Sequence, residues 1–112
     1  MSEKSSTKEE KTVDPMEELI KILNCEMSET MEETIKKIIL KNIKEKKGVI
    51  EEIDIKKLTN DIYKKMEKTY GTGWNVFVGG YFSGCCTYEE NHYAEFQVGK
   101  NRAVIFKMPA VK

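Results

Sequence analysis

The sequence predicts an α+β sandwich: two helices packed on an antiparallel sheet, in the order strand, helix, helix and then four strands. Two stretches carry apolar residues at helical spacing, the period switches to two from Trp74 onward, and Gly or Asn marks the breaks between segments. At 112 residues the chain has room for one hydrophobic core. Lys plus Arg and Asp plus Glu number 19 each, so the formal charge is zero and the field of a general nucleic-acid binder is missing. Arg102 is the sole arginine, which excludes recognition of phosphates by an arginine cluster. No apolar run approaches the roughly 20 residues of a membrane span.

Residues 1–15 form a polar leader rich in Ser, Thr, Lys and Glu, expected to be disordered because it has too little apolar surface to offset its ordering entropy. It lacks the apolar stretch of a secretory signal. The domain is expected to span residues 16–112. Leu19, Ile20, Ile22 and Leu23, stopped by Asn24, read as a first strand. Ser28 is placed as the N-cap of a helix over residues 29–46, with Glu29, Glu32 and Glu33 at its positive end. Met31, Ile35, Ile38, Ile39, Asn42 and Ile43 form its apolar stripe, and Gly48 is expected at C′. Asp54 caps a second helix whose stripe is Ile55, Leu58, Ile62 and Met66, flanked by Tyr63 and Tyr70 and ended by Gly71 and Gly73. Trp74, Val76 and Val78 then alternate with Asn75 and Phe77 before a Gly79-Gly80 turn. Residues 82–88 read as a strand built from small residues. Residues 92–98 follow, with His92, Ala94, Phe96 and Val98 on one face and Tyr93, Glu95 and Gln97 on the other. Residues 103–107 close the sheet, and Pro109 limits any extension.

Three cysteines, two of them adjacent, do not make a disulfide framework and point to a reducing cytosol. Cys85 and Cys86 with Cys25 and His92 are the thiol or metal chemistry to weigh. Neighbouring strand residues face opposite ways and no C-x-x-C spacing exists, so simple packing is the better reading. His92 fits a hydrogen-bonded residue on an apolar face. Glu95 lies mid-strand, either as a charge that discourages edge pairing or as a residue that reads a ligand. Gly71 and Gly73 follow a helix and precede a strand, the reverse of a phosphate cradle. No active site or cofactor site assembles. The segment from Phe82 to Tyr88 suits backbone pairing with another chain, or an ordinary hairpin over Gly79-Gly80.

Glu26-Met27-Ser28-Glu29, the two lysine-rich helices, the run from Lys65 to Tyr70 leading into Trp74, then Val78-Gly79, Phe82, Thr87-Tyr88-Glu89, His92, Phe96, Gly99 and Phe106-Lys107 together resemble the smallest dynein light chains. The resemblance covers residues 20–107 and implies a non-catalytic, strand-exchanged homodimer. In such a dimer each groove takes an extended peptide, from a dynein intermediate chain or another linear motif, as an added strand. It implies peptide contacts along Phe82, Ser83, Gly84, Cys85, Cys86, Thr87 and Tyr88, with Tyr93 and Glu95 from the next strand and Lys56 at one end. The dimer interface implied is Trp74, Asn75, Phe82 and Cys86. No nucleic acid or membrane is implied, and the location is cytoplasmic and cytoskeletal, in a cytoplasmic or axonemal dynein. A structural dimer of an axonemal arm that binds no free peptide is the alternative, and a thiol or metal enzyme using Cys85, Cys86 and His92 is a distant one. Cys85, Glu95 and Gln97 stand where the family has tyrosines, Tyr88 and Asn75 where it has histidines, and Gly80 where it has an arginine. Leu23 stands for a lysine and Ile55 for a glutamate. Fewer aromatic walls and an added carboxylate imply weaker packing on a peptide and repulsion of acidic ligands. Asn75 implies muted acid dissociation of the dimer.

Overall fold

Trp74, 3% exposed, sits where the second helix meets the sheet, its ring between Tyr70 and His92 at centroid distances of 6.4 and 5.7 Å. The computed structural model describes residues 15–80 and 82–109, so the expected leader lies almost wholly outside the described residues. A short 3₁₀ turn, Pro15–Leu19, leads into β1, Ile20–Glu26. Helices α1, Glu29–Glu45, and α2, Ile55–Tyr70, follow, separated by a second 3₁₀ turn at Ile50–Glu52. Strands β2, Trp74–Gly79, β3, Tyr93–Val98, and β4, Asn101–Lys107, complete one antiparallel sheet in the order β1-β3-β4-β2.

Each helix begins where its capping residue stands. The Ser28 hydroxyl accepts from Met31 N at 3.2 Å and the Asp54 carboxylate from Lys57 N at 3.1 Å. Ile35, Ile39 and Ile43 on α1 and Leu58, Ile62 and Met66 on α2 are all buried, which is the expected pair of stripes. Asn42 interrupts the α1 stripe and is 3% exposed. Its amide donates to Ile38 O at 3.0 Å and to Asp61 Oδ2 at 3.2 Å, and Lys57 reaches the same carboxylate at 2.8 Å. A buried polar group placed this way fixes the register of α1 on α2, because any slip would leave it unpaired.

The end of α1 differs by one residue from expectation. Gly48 N donates to Ile43 O and Lys47 N to Lys44 O, a Schellman arrangement in which Lys47 occupies C′ at φ 55° and Gly48 follows at φ 84°. Two successive left-handed residues are needed here, and only one of them is glycine.

The core lies between the helices and the inner face of the sheet. Ala94, Phe96 and Val98 of β3 point inward with Ala103 and Ile105 of β4, in the phase that the alternation predicts. The two ends of the sheet differ. β1 carries a bulge between Ile22 and Asn24, and Ile22 and Leu23 are about half exposed. β2 pairs with β4 without interruption from Trp74 to Gly79.

One expected element is not a strand in this chain. Residues 82–88 carry no regular secondary structure, so among the described residues three strands rather than four follow the helices. A hairpin would have needed them to pair back on β2, but they pass over the sheet's outer face instead. Among the described residues the neighbour of β2 is β4 alone.

Candidate functional site

Strand register places two surfaces side by side, an unpaired edge and an aromatic outer face. Met108 N donates to Gly73 O at 2.9 Å, so the bonded pairs between β2 and β4 continue at Asn75, Phe77 and Gly79. Val76 and Val78, the residues between, therefore turn their N–H groups away from β4 to the open edge. Trp74 does the same, and its N–H is taken by Glu67 Oε2 at 2.8 Å; the same oxygen accepts from Gly73 N at 3.0 Å. That carboxylate closes the turn from α2 into β2. Its role was not visible in the sequence, where it reads as an ordinary charge in the last turn but one of a helix.

On the outer face Asn75, Phe77 and Gly79 of β2 lie across from Phe106, Val104 and Arg102 of β4, and these from Tyr93, Glu95 and Gln97 of β3. Val104 and Phe106 are buried although they face away from the helices, while Phe77 is 54% exposed. An aromatic row crosses the face. Phe77 stacks on Phe106 at 6.2 Å, Phe106 on Tyr93 at 6.5 Å, and Tyr93 meets Tyr88 at 4.6 Å. The chain between Phe82 and Cys86 borders this face, and the two line an open hollow of about 530 Å³.

Of the expected peptide contacts, Phe82, Ser83, Gly84, Cys85, Cys86, Tyr93 and Glu95 all line that hollow. Tyr88 lies at its rim, with its hydroxyl on Glu26 at 3.1 Å, and Thr87 is exposed. Lys56 is exposed in the first turn of α2 and does not line it. One of the helix-start N–H groups expected to receive a ligand there, that of Lys57, is already held by Asp54. Among the residues implied for the interface, Trp74 is packed inside the chain, so a partner would meet its backbone rather than its ring. Asn75 is half-buried on the outer face.

The sequence reading missed Phe77, Val104, Phe106 and Arg102. The signal was present: residues 103–106 are apolar without alternation, the mark of a strand covered on both faces. Arg102 corrects the electrostatics expected of Glu95. Its guanidinium lies 3.2 Å from Glu95 Oε2, and both side chains are largely buried. The groove floor therefore holds an ion pair rather than the bare carboxylate that the sequence implied.

Tyr93 donates to Glu95 Oε1 at 3.2 Å. Burial, then the Glu95 charge and that hydrogen bond, push its phenol from 10 up to about 12. A phenol kept neutral by the fold adds stability that is whole below pH 10 and is lost as pH rises from 10 to about 12. Absorbance titration should show a tyrosine ionising near pH 12 that is absent in Tyr93→Phe, and that variant should lose less stability over the same window.

The thiols are separate from one another. Cys85 and Cys86 are exposed, while half-buried Cys25 donates to Glu32 Oε1 at 3.4 Å and its pKa is raised, first by burial and then by Glu32. His92 Nδ1 lies 2.8 Å from the Glu90 carbonyl rather than against a thiol. Among the described residues no group of three His, Cys, Asp or Glu is placed to hold a metal. No described helix is long and apolar enough to cross a membrane.

Two helices on an antiparallel sheet, an open edge at β2 and an unladdered segment following it define a dynein light chain-like domain. The chain belongs to the dynein light chain type 1 family, whose model matches residues 19–108. No curated protein sequence matches it. Among solved structures it is similar to the dynein light chain-like domain of the calcium binding protein FhCaBP2 of Fasciola hepatica. That similarity has a TM-score of 0.66 at 15% identity, covering 89% of this chain and 99% of that one. It is also similar to the DLC-like domain of CsTAL3, with a TM-score of 0.54 at 19% identity over 86% of this chain and 96% of that one. At such identities the likeness is one of fold.

Proposed function

We propose that this chain is a non-catalytic accessory subunit of a dynein motor, a homodimer that captures extended peptides by strand addition. In this reading residues 82–88 of each subunit cross to the partner and pair with the β2 edge. The far side of the crossed strand then receives a peptide, such as a segment of a dynein intermediate chain. Main-chain bonds set the register and the outer-face aromatics select side chains. A dimer with two such grooves holds two disordered chains together, the second contact gaining from a high effective concentration. The place of action is cytoplasmic and cytoskeletal.

The observation that supports this best is the pairing of unmet needs. β2 offers outward N–H groups at Val76 and Val78, on the sheet end without a bulge, and the segment that follows has no ladder of its own. Exposed regular edges are normally blunted or covered, so a regular one calls for a strand. Membership of the dynein light chain family supports the same conclusion.

Sedimentation equilibrium across a concentration series, with and without a peptide from a dynein intermediate chain, tests the reading. A dimer that takes up one peptide per subunit is the expected result. A dimer indifferent to every such peptide would leave the assembly and remove the capture function. A monomer at all concentrations would remove both.

A further inference from the structure

The crossover segment is fastened at two points, and one of them is the chain's only arginine. Beyond its pairing with Glu95, Arg102 donates through Nη2 to the carbonyl of Phe82, and its guanidinium carbon lies 4.5 Å above the centre of the Phe82 ring. At the far end Glu89 N donates to Lys107 O at 2.8 Å, and His92 N to Glu89 O at 3.0 Å. Between these fastenings residues 83–87 are exposed and without a ladder. The near end leaves β2 through Gly79-Gly80, and a Cβ at Gly80 would meet nothing within 4 Å. Fully extended, residues 82–88 would reach about 23 Å, ample to pair with the edge of a second copy.

We propose that Arg102 is a latch that holds the crossover segment on its own subunit, so that the chain exchanges between a closed single-chain form and an open, strand-exchanged dimer. The inference rests on the strand-exchange reading above and adds its regulation. Glu95 and Arg102 are cross-sheet neighbours on β3 and β4, so their ion pair survives opening. What opening loses is the grip on Phe82, made of a charge-assisted bond to its carbonyl and a cation–π contact with its ring. Both are made with a partly buried guanidinium, where water competes less for the donor. In the closed form the segment's own residues, Phe82 to Cys86, form one wall of the hollow over the outer face, so opening the latch would also remove that wall.

Both subunits must open for one dimer to form, so the cost of the latch enters the dimer equilibrium twice. A latch worth about tenfold per subunit makes the Arg102→Ala dimer about a hundredfold tighter than that of the unaltered chain. Arg102→Lys keeps a charge beside Glu95 but loses the planar fork and most of the ring contact, and should fall between the two. The experiment is sedimentation equilibrium of the full chain and both variants, with far-ultraviolet circular dichroism to confirm folding. Tighter dimers in the order Ala, Lys, unaltered support the latch. An Arg102→Ala dimer equal to or weaker than the unaltered one overturns it while leaving strand exchange in place. If Arg102→Ala does not fold, a Lys variant at least threefold tighter supports the latch and an unchanged one overturns it. Monomers throughout, in all three proteins, would overturn the exchange and the latch together.

Discussion

Val76→Pro should abolish self-association while the chain stays folded. Within its own sheet Val76 makes no hydrogen bond to β4, because Asn75 and Phe77 carry the bonded pairs on either side. Removing its N–H therefore takes nothing from the fold, and an edge strand is where proline is tolerated. A partner strand laid on that edge would lose a ladder bond and meet the pyrrolidine ring. In a symmetric dimer the defect occurs twice, so about 1 to 1.5 kcal/mol for each lost bond weakens the dimer by about 30- to 160-fold before the ring's own clash is added. The side chain also packs against the core from a half-buried position, and reshaping it costs about 1 to 2 kcal/mol of stability. Val76→Ala loses similar packing but keeps the N–H, so it should unfold early and still dimerise. Sedimentation and urea unfolding on the two variants separate the effects. A proline variant that dimerises like the unaltered chain would move the interface off β2.

The parts of the fold legible in the sequence are those decided by neighbours along the chain. Ser28 and Asp54 cap the helices because capping is settled within three residues. The phase of residues 93–98 is fixed by alternation, and every inward position, Ala94, Phe96 and Val98, is buried as expected. The C′ position was misplaced by one because Gly48 also has positive φ, and nothing in the sequence says that Lys47 shares the burden. Residues 82–88 were harder for a different reason. Their composition is that of a strand, but a strand also needs a neighbour, and strand pairing is settled by partners remote in sequence or in another molecule. The site was legible to the same degree. Phe82 to Cys86, which the family resemblance singled out, line the hollow. The floor beneath it, Phe77, Val104 and Phe106, required knowing that β4 is covered on both sides. Arg102 looked inert alone, and its role follows only from β3 and β4 setting it diagonally from Glu95.

The two faces of the sheet make opposite predictions for the same substitution. Phe96 lies mid-β3 with no exposed surface, between Ile22 of β1 and Ala103 of β4. Ala94 and Ala103, both small and fully buried, leave the space that its ring fills beneath the isoleucines of α1. The ladder on both sides of β3 prevents the backbone from closing over a missing ring, so most of the cavity would persist. Phe96→Ala should therefore cost about 3 to 5 kcal/mol, with the upper half expected because the site cannot collapse. A small domain holds only about 5 to 15 kcal/mol in total, so the variant is marginal or unfolded at room temperature. Phe77→Ala removes an identical ring from a position 54% exposed, where only its edge of the stack with Phe106 is lost. Its cost to the single chain should be about 1 kcal/mol or less. Its effect on self-association should be large by comparison, because the exposed ring lies where a second copy would settle. Urea midpoints taken at low protein concentration, beside sedimentation at high concentration, read the two effects apart. Equal losses of stability in the two variants would mean that the sheet has no inner and outer face in the sense described, and the partner-facing surface would have to be sought elsewhere.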